Sequence, residues 1–203
     1  MDQAILKLAD THLADSLYVL QAAAQSETFR MSLVDVTNVM LTSLRDGGKI
    51  LLAGNGGSAG DAQHIAGEFL SRLNFDRSPL PAIALTTDTS VLTAIGNDYG
   101  YEKLFERQVN GLGNPGDVFV GISTSGRSPN ILAALHAARA KKMVTVGFCG
   151  QDPRDMSVLC DWTVKAPSGD TPMIQQIHIV AAHIICGAVE QAIFKPEQTG
   201  APS

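Results

Sequence analysis

Apolar residues recur at helical spacing from Gln3 to about Gln25, at Ile5, Leu6, Leu8, Ala9, Leu13, Leu17 and Leu20. A second helix is expected next, with Met31, Leu33, Val34, Val36, Val39, Met40, Leu41 and Leu44 as its apolar positions and Asp46-Gly47-Gly48 as its stop. The period then changes. Short apolar runs at Lys49 to Ala53, Ala82 to Leu85, Val118 to Ile122, Met143 to Phe148 and Asp161 to Lys165 read as strands. Helices are expected between them: one opening at Ser58 or Asp61, a short one over Val91 to Ile95, one from Glu102 to about Leu112, and one after Ser128-Pro129. A last, long helix runs to about Phe194, with Thr171 as its cap and Pro172 in its first turn.

Strands alternating with helical segments predict an α/β fold, a three-layer doubly wound sheet of about five mostly parallel strands, flanked by two N-terminal helices and a long C-terminal helix. Residues 1–195 read as one domain that includes the helical pair (1–47), and 196–203 as a flexible tail. In such folds ligands bind beyond the carboxyl ends of the strands. Two polar loops fall there.

The first is Gly54-Asn55-Gly56-Gly57-Ser58-Ala59-Gly60, whose glycines let the backbone turn tightly and offer N–H groups to an anion. It matches G-x-G-x-x-A, but the nearest acidic residue for a dinucleotide ribose, Asp88, lies well beyond the usual spacing of about 20 residues. The second loop, Ser123-Thr124-Ser125-Gly126-Arg127-Ser128, crowds hydroxyls at a helix start. Together the loops suit a sugar phosphate, with Ser123, Thr124, Ser125 and Ser128 on its phosphate oxygens.

His64 and Glu68 are four apart and share a helix face, which suits a bound metal or an acid/base pair. The C-terminal helix is apolar nearly all round except at Gln175, Gln176, His178 and His183, and buried polar groups need partners. His64, Glu68, Gln175 and His183 together would make a mixed N/O site suited to zinc. Gln175 and His183 are about 12 Å apart along one straight helix, so convergence needs long side-chain reach, a disturbed first turn or a neighbouring subunit's copy. His178 reads as a hydrogen-bonded core or interface histidine, His12 and His136 as surface residues.

Composition narrows the class. Over 203 residues the hydrophobic share is 45%, the charged share 17% and the formal net charge −5, which speaks against binding nucleic acid or an anionic membrane. No uninterrupted apolar run reaches a membrane span, and the first residues lack a signal peptide's basic start, so a cytoplasmic location is expected. Cys149, Cys160 and Cys186 form no CxxC pair and are expected as reduced core positions.

The ordered set Gly54-Asn55-Gly56-Gly57-Ser58, Asp61-Ala62-Gln63-His64, Glu68, Leu80 to Leu85, Asn97-Asp98-Tyr99-Gly100-Tyr101, Gly121 to Gly126, and Ile174-Gln175 with His178 and His183 resembles the sugar isomerase (SIS) domain family, in its phosphoheptose isomerase branch. The resemblance implies conversion of D-sedoheptulose 7-phosphate to D-glycero-D-manno-heptose 7-phosphate for lipopolysaccharide or another surface glycan, by a homotetramer whose sites lie at subunit interfaces. It implies Glu68 and His183 as the acid/base pair. One zinc per subunit would be held by His64, Glu68, Gln175 and His183. Asn55, Gly56, Gly57, Ser58, Glu68, Asn97, Asp98, Ser123, Thr124, Ser125, Ser128 and Gln175 would line the substrate site. A non-catalytic relative that binds a replication initiator and a sugar-phosphate-sensing regulator share the fold; Glu68 and His183 favour the enzyme.

Overall fold

The computed structural model describes residues 2–195, and the expected tail at 196–203 lies outside them. Five strands form one parallel sheet: β1 (Ile50–Gly54), β2 (Ala82–Ala84), β3 (Val118–Ile122), β4 (Val144–Cys149) and β5 (Trp162–Lys165), in the order β2-β1-β3-β4-β5. β1 and β3 pair in register from Ile50 opposite Val118 to Gly54 opposite Ile122. Because side chains alternate across a strand, each run feeds both faces of the sheet. Ile50, Leu52, Val118 and Val120 enter one apolar core; Leu51, Ala53 and Phe119 enter the other.

The helices divide accordingly. α1 (Asp2–Gln25), α2 (Glu27–Arg45), α3 (Gly57–Leu70) and α7 (Thr171–Phe194) contribute to the first core; α4 (Thr89–Tyr99), α5 (Leu104–Leu112) and α6 (Pro129–Ala140) contribute to the second. α7 has the length and composition of a membrane span, yet Met173, Ile174, Ile177, Ala181, Ala182, Ile185 and Val189 are buried in the first core. It is a core helix. Cys149 and Cys186 are buried, Cys160 is half-buried, and all three are free thiols, each pushed by burial up to about 12.

Four helix boundaries differ from the sequence reading; α5, expected from Glu102, starts at Leu104 behind a 3-10 turn over Tyr101–Lys103. α3 starts at Gly57, ahead of Ser58, because Gly56 at φ 56° and ψ −121° turns the chain into the helix without a side-chain cap. α4 runs on through Gly96, Asn97 and Asp98 to Tyr99, and it is capped by Asp88, whose Oδ1 accepts from Val91 N at 3.0 Å. Thus the acidic residue weighed for a ribose is a helix cap. α7 takes Asp170 rather than Thr171 as its N-cap residue.

His178 is 1% exposed and its Nε2 donates to the Cys149 carbonyl at 3.1 Å, as a core histidine should. Its Nδ1 is buried without a partner among the described residues. Burial lowers its pKa to about 4, and the bond to the Cys149 carbonyl opposes that only in part. A folded pKa below the unfolded 6.5 means that the unfolded chain binds the proton first as pH falls. The contribution is therefore full above about pH 6.5 and is lost progressively down to about pH 4, about 3 kcal/mol in all. His178→Gln should flatten the fall in stability between pH 7 and pH 4.5, read from urea midpoints. An unchanged slope would remove His178 from the acid response.

Candidate active site

The strand order reverses between β1 and β3, and in a doubly wound sheet a ligand crevice opens at that switch point. The glycine loop follows β1 and the hydroxyl loop follows β3, so the two polar loops of the sequence stand side by side. A reciprocal pair joins them: Asn55 Nδ2 donates to Asn130 Oδ1 at 2.9 Å, and Asn130 Nδ2 donates to Asn55 Oδ1 at 2.8 Å. Tyr101 also donates to Asn55 Oδ1 at 2.9 Å. With its amide committed on both ends, Asn55 is held in one orientation. A cleft of about 310 Å³ lies here, lined by Asn55, Gly56, Thr86 and Tyr101 among others.

In the second loop Ser123 and Ser128 hydroxyls are 2.8 Å apart, with Ser125 Oγ at 3.5 Å from Ser123. Ser128 occupies the N-cap of α6 but its hydroxyl makes no capping bond. It turns instead toward Ser123, which leaves the positive end of the helix open to an anion. Thr124, Ser125 and Arg127 face a further cleft of about 240 Å³ with Gly150, Gln151 and Ser168.

The titratable groups converge about two or more turns along α3 and α7 from the start of α3 at Gly57. His64 Nε2 lies 2.9 Å from His183 Nε2 and 3.2 Å from Glu68 Oε1, with the two imidazoles edge to face at a centroid distance of 5.1 Å. α3 supplies His64 and Glu68 one turn apart, and α7, packed alongside, supplies His183. Ligand atoms bound tetrahedrally at about 2.0–2.1 Å from one ion are about 3.3 Å from each other. The observed spacings approach that value, so two imidazoles and a carboxylate are arranged as three donors to one small cation, with a side open to solvent.

Gln175 stands elsewhere. It lies about two turns of α7 before His183, and its amide packs against Gly57, where any Cβ would collide with it. One chain therefore gathers three of the four expected metal donors. Asn97 and Asp98, in the last turn of α4, bond to each other at 2.8 Å, and Asp98 lines a separate groove with Ile83, Tyr99 and Arg107. Neither makes a hydrogen bond to the switch-point loops among the described residues.

The SIS domain family matches residues 12–150, a span that takes in β1 to β4 and both polar loops. The chain is also 56% identical over 194 residues to a phosphoheptose isomerase of Burkholderia pseudomallei, covering 96% of this chain and 98% of that one. The chain belongs to the SIS domain family. Among solved structures of SIS proteins, a phosphoheptose isomerase from Neisseria gonorrhoeae superimposes with a TM-score of 0.86 at 39% identity, over 92% of this chain and 99% of its own. Another from Francisella tularensis gives 0.88 at 32% identity, over 92% and 98%.

Four residues at the candidate site escaped the sequence reading of individual roles. Asn130 and Tyr101 fix Asn55. Arg77 binds the Glu68 carbonyl oxygen at 2.7 Å. Asp61, one turn before His64, has a buried Oδ2 without a partner among the described residues; burial raises its pKa and the nearby His64 partly offsets that. Asn in a loop and Arg between turns are ordinary in any sequence, so only the long-range partners reveal them.

Proposed function

We propose that this chain is a cytoplasmic phosphoheptose isomerase that converts D-sedoheptulose 7-phosphate into D-glycero-D-manno-heptose 7-phosphate, a precursor of the heptose of lipopolysaccharide or another surface glycan. The observation that carries the reading is the convergence of His64, Glu68 and His183 where α3 packs on α7. It rests as well on the 56% identity to a protein of that name, and it leaves no reason to prefer a non-catalytic binding role.

The reaction moves one hydrogen between adjacent carbons. A base removes the C1 proton of the ketose while the C2 carbonyl oxygen takes up a proton, giving an enediol; return of a proton to C2 and loss of one from the C1 hydroxyl complete the aldose. Glu68 and His183 are the pair for these transfers. The Ser123 to Ser128 loop holds the phosphate, and Asn55 to Ser58 with Gln175 line the sugar; Asn97 and Asp98 remain candidates for its hydroxyls. Zinc is the ion that best suits His64, Glu68 and His183, with the Gln175 of a neighbouring subunit as a fourth donor; when bound it would stabilise charge on the enediolate oxygens. Purified protein supplied with zinc should form the aldoheptose phosphate from sedoheptulose 7-phosphate. Absence of that product would end the proposal.

Assembly belongs to the same reading. Of α1 only Val19 and Ala23 are buried, while Ile5, Leu6, Leu8, Leu13, Leu17 and Tyr18 are each more than half exposed. So much exposed apolar surface calls for cover by other subunits, and a homotetramer is the expected form. Light scattering at micromolar concentration should return about four chain masses. A stable monomer would contradict it.

A further inference from the structure

Glu190 and Arg77 form a buried ion pair that proton transfer does not use. Glu190 is 0% exposed and the Arg77 side chain 3%. The carboxylate accepts from Leu73 N at 2.9 Å, Asn74 N at 2.8 Å, Asn74 Nδ2 at 3.0 Å and Arg77 Nε at 3.1 Å. Burial alone would raise the Glu190 pKa; these four donors more than reverse it and hold the carboxyl below its usual range, so the pair stays charged.

The rest of the guanidinium points at α3. Nη2 donates to the Glu68 carbonyl at 2.7 Å, and Nη1 to the Phe69 carbonyl at 2.6 Å and to the Ser78 carbonyl at 3.0 Å. Glu68 and Phe69 sit in the last turn of α3, whose end carbonyls lack helical partners and whose dipole favours a cation. Arg77 therefore caps the very turn that carries the Glu68 side chain. On the other side, Glu190 lies seven residues beyond His183 on the same unbroken helix, about two turns and roughly 10 Å further on.

A buried ion pair is weak evidence for stability, because desolvation cancels most of the attraction and apolar residues of similar size often serve as well. What such a pair does supply is one geometry. Here that geometry relates α3 to α7 at a second point, two turns from where His64 and Glu68 meet His183.

We propose that the Arg77–Glu190 pair is a positioning element of the active site: it clamps the last turn of α3 to α7 and so fixes the Glu68 carboxylate against the His183 imidazole. The inference rests on reading His64, Glu68 and His183 as the reactive group. A lysine at 77 keeps the charge opposite Glu190 but cannot hold Glu190, Glu68 O and Phe69 O together, which separates positioning from simple charge pairing.

The test uses the full chain with Arg77→Lys, and Arg77→Met/Glu190→Gln in case the single variant does not fold, since the double change removes both charges and keeps an amide oxygen for Leu73 and Asn74. Cobalt(II) is the metal probe, read by its visible spectrum and by competition, beside kcat and KM for sedoheptulose 7-phosphate. For a folded variant we expect cobalt affinity to fall about 10-fold or more with an altered spectrum, and kcat to fall at least about 10-fold with KM nearly unchanged. Wild-type cobalt affinity, spectrum and kcat in a folded variant would overturn the proposal, whatever its melting temperature. If the unmodified protein takes up no cobalt, or His64→Gln leaves its uptake unchanged, the metal reading fails by itself. The kcat decrease at constant KM then decides: its presence supports the clamp and its absence overturns it.

Discussion

Glu68→Gln and His183→Gln should each lower kcat for sedoheptulose 7-phosphate by about 10²–10⁴-fold, the range for loss of a positioned acid or base. The geometry makes the two losses interdependent. Glu68 Oε1 and His183 Nε2 both lie within 3.2 Å of His64 Nε2, so removing one changes the charge and hydrogen bonding of the other. The double variant should consequently be little worse than either single one, because groups that act as a unit are far from additive. KM should move less than kcat, since the hydroxyl loop after β3, proposed to hold the phosphate, is untouched. Folding should survive: His64 is nearly half exposed and none of the three belongs to the apolar cores. A variant within tenfold of the unmodified kcat would strip that residue of its assigned role.

The sheet was largely legible because its strands are buried on both faces. Ile50, Leu51, Leu52 and Ala53 are all 0% exposed, and a strand covered on both sides needs an unbroken apolar run of that length. Boundaries were less legible where backbone conformation, rather than side-chain pattern, decides them. Gly96 and Asn97 look like loop residues, but the Asp88 cap and the burial of Ile95 carry α4 through them. Likewise the turn at Gly56 replaces the side-chain cap for which Ser58 or Asp61 was the sequence candidate. In the site, His64 and Glu68 were legible together because helical spacing alone fixes their relation. His183 entered through the expectation that α7 is buried all round, yet it is exposed on α7, where it meets His64. Gln175 instead packs its amide against Gly57, which no spacing rule foretells. The reciprocal Asn55–Asn130 amides, 75 residues apart, leave no local mark at all.

Ser123→Ala combined with Ser128→Ala should raise KM for the sugar phosphate by about 10²–10³-fold, with a smaller effect on kcat. Each hydroxyl that donates to a phosphate oxygen contributes about 1.5–3 kcal/mol as a charge-assisted bond, so the pair together contributes about 3–4 kcal/mol at the low end of that range. Those hydroxyls now bond each other at 2.8 Å and must turn outward to serve a ligand, which offsets part of the gain. Fold should be little affected, for a reason visible in α6. An N-cap serine replaced by alanine ordinarily costs about 1 kcal/mol, but Ser128 makes no capping bond here, so that cost has no source. The double variant therefore separates ligand binding from helix stability. Competition by inorganic phosphate, measured against the same substrate, should weaken in parallel with the rise in KM. Equal affinities for substrate and phosphate before and after the change would move the phosphate site away from this loop, and the orientation of the sugar across Asn55, Glu68 and His183 would then have to be reversed.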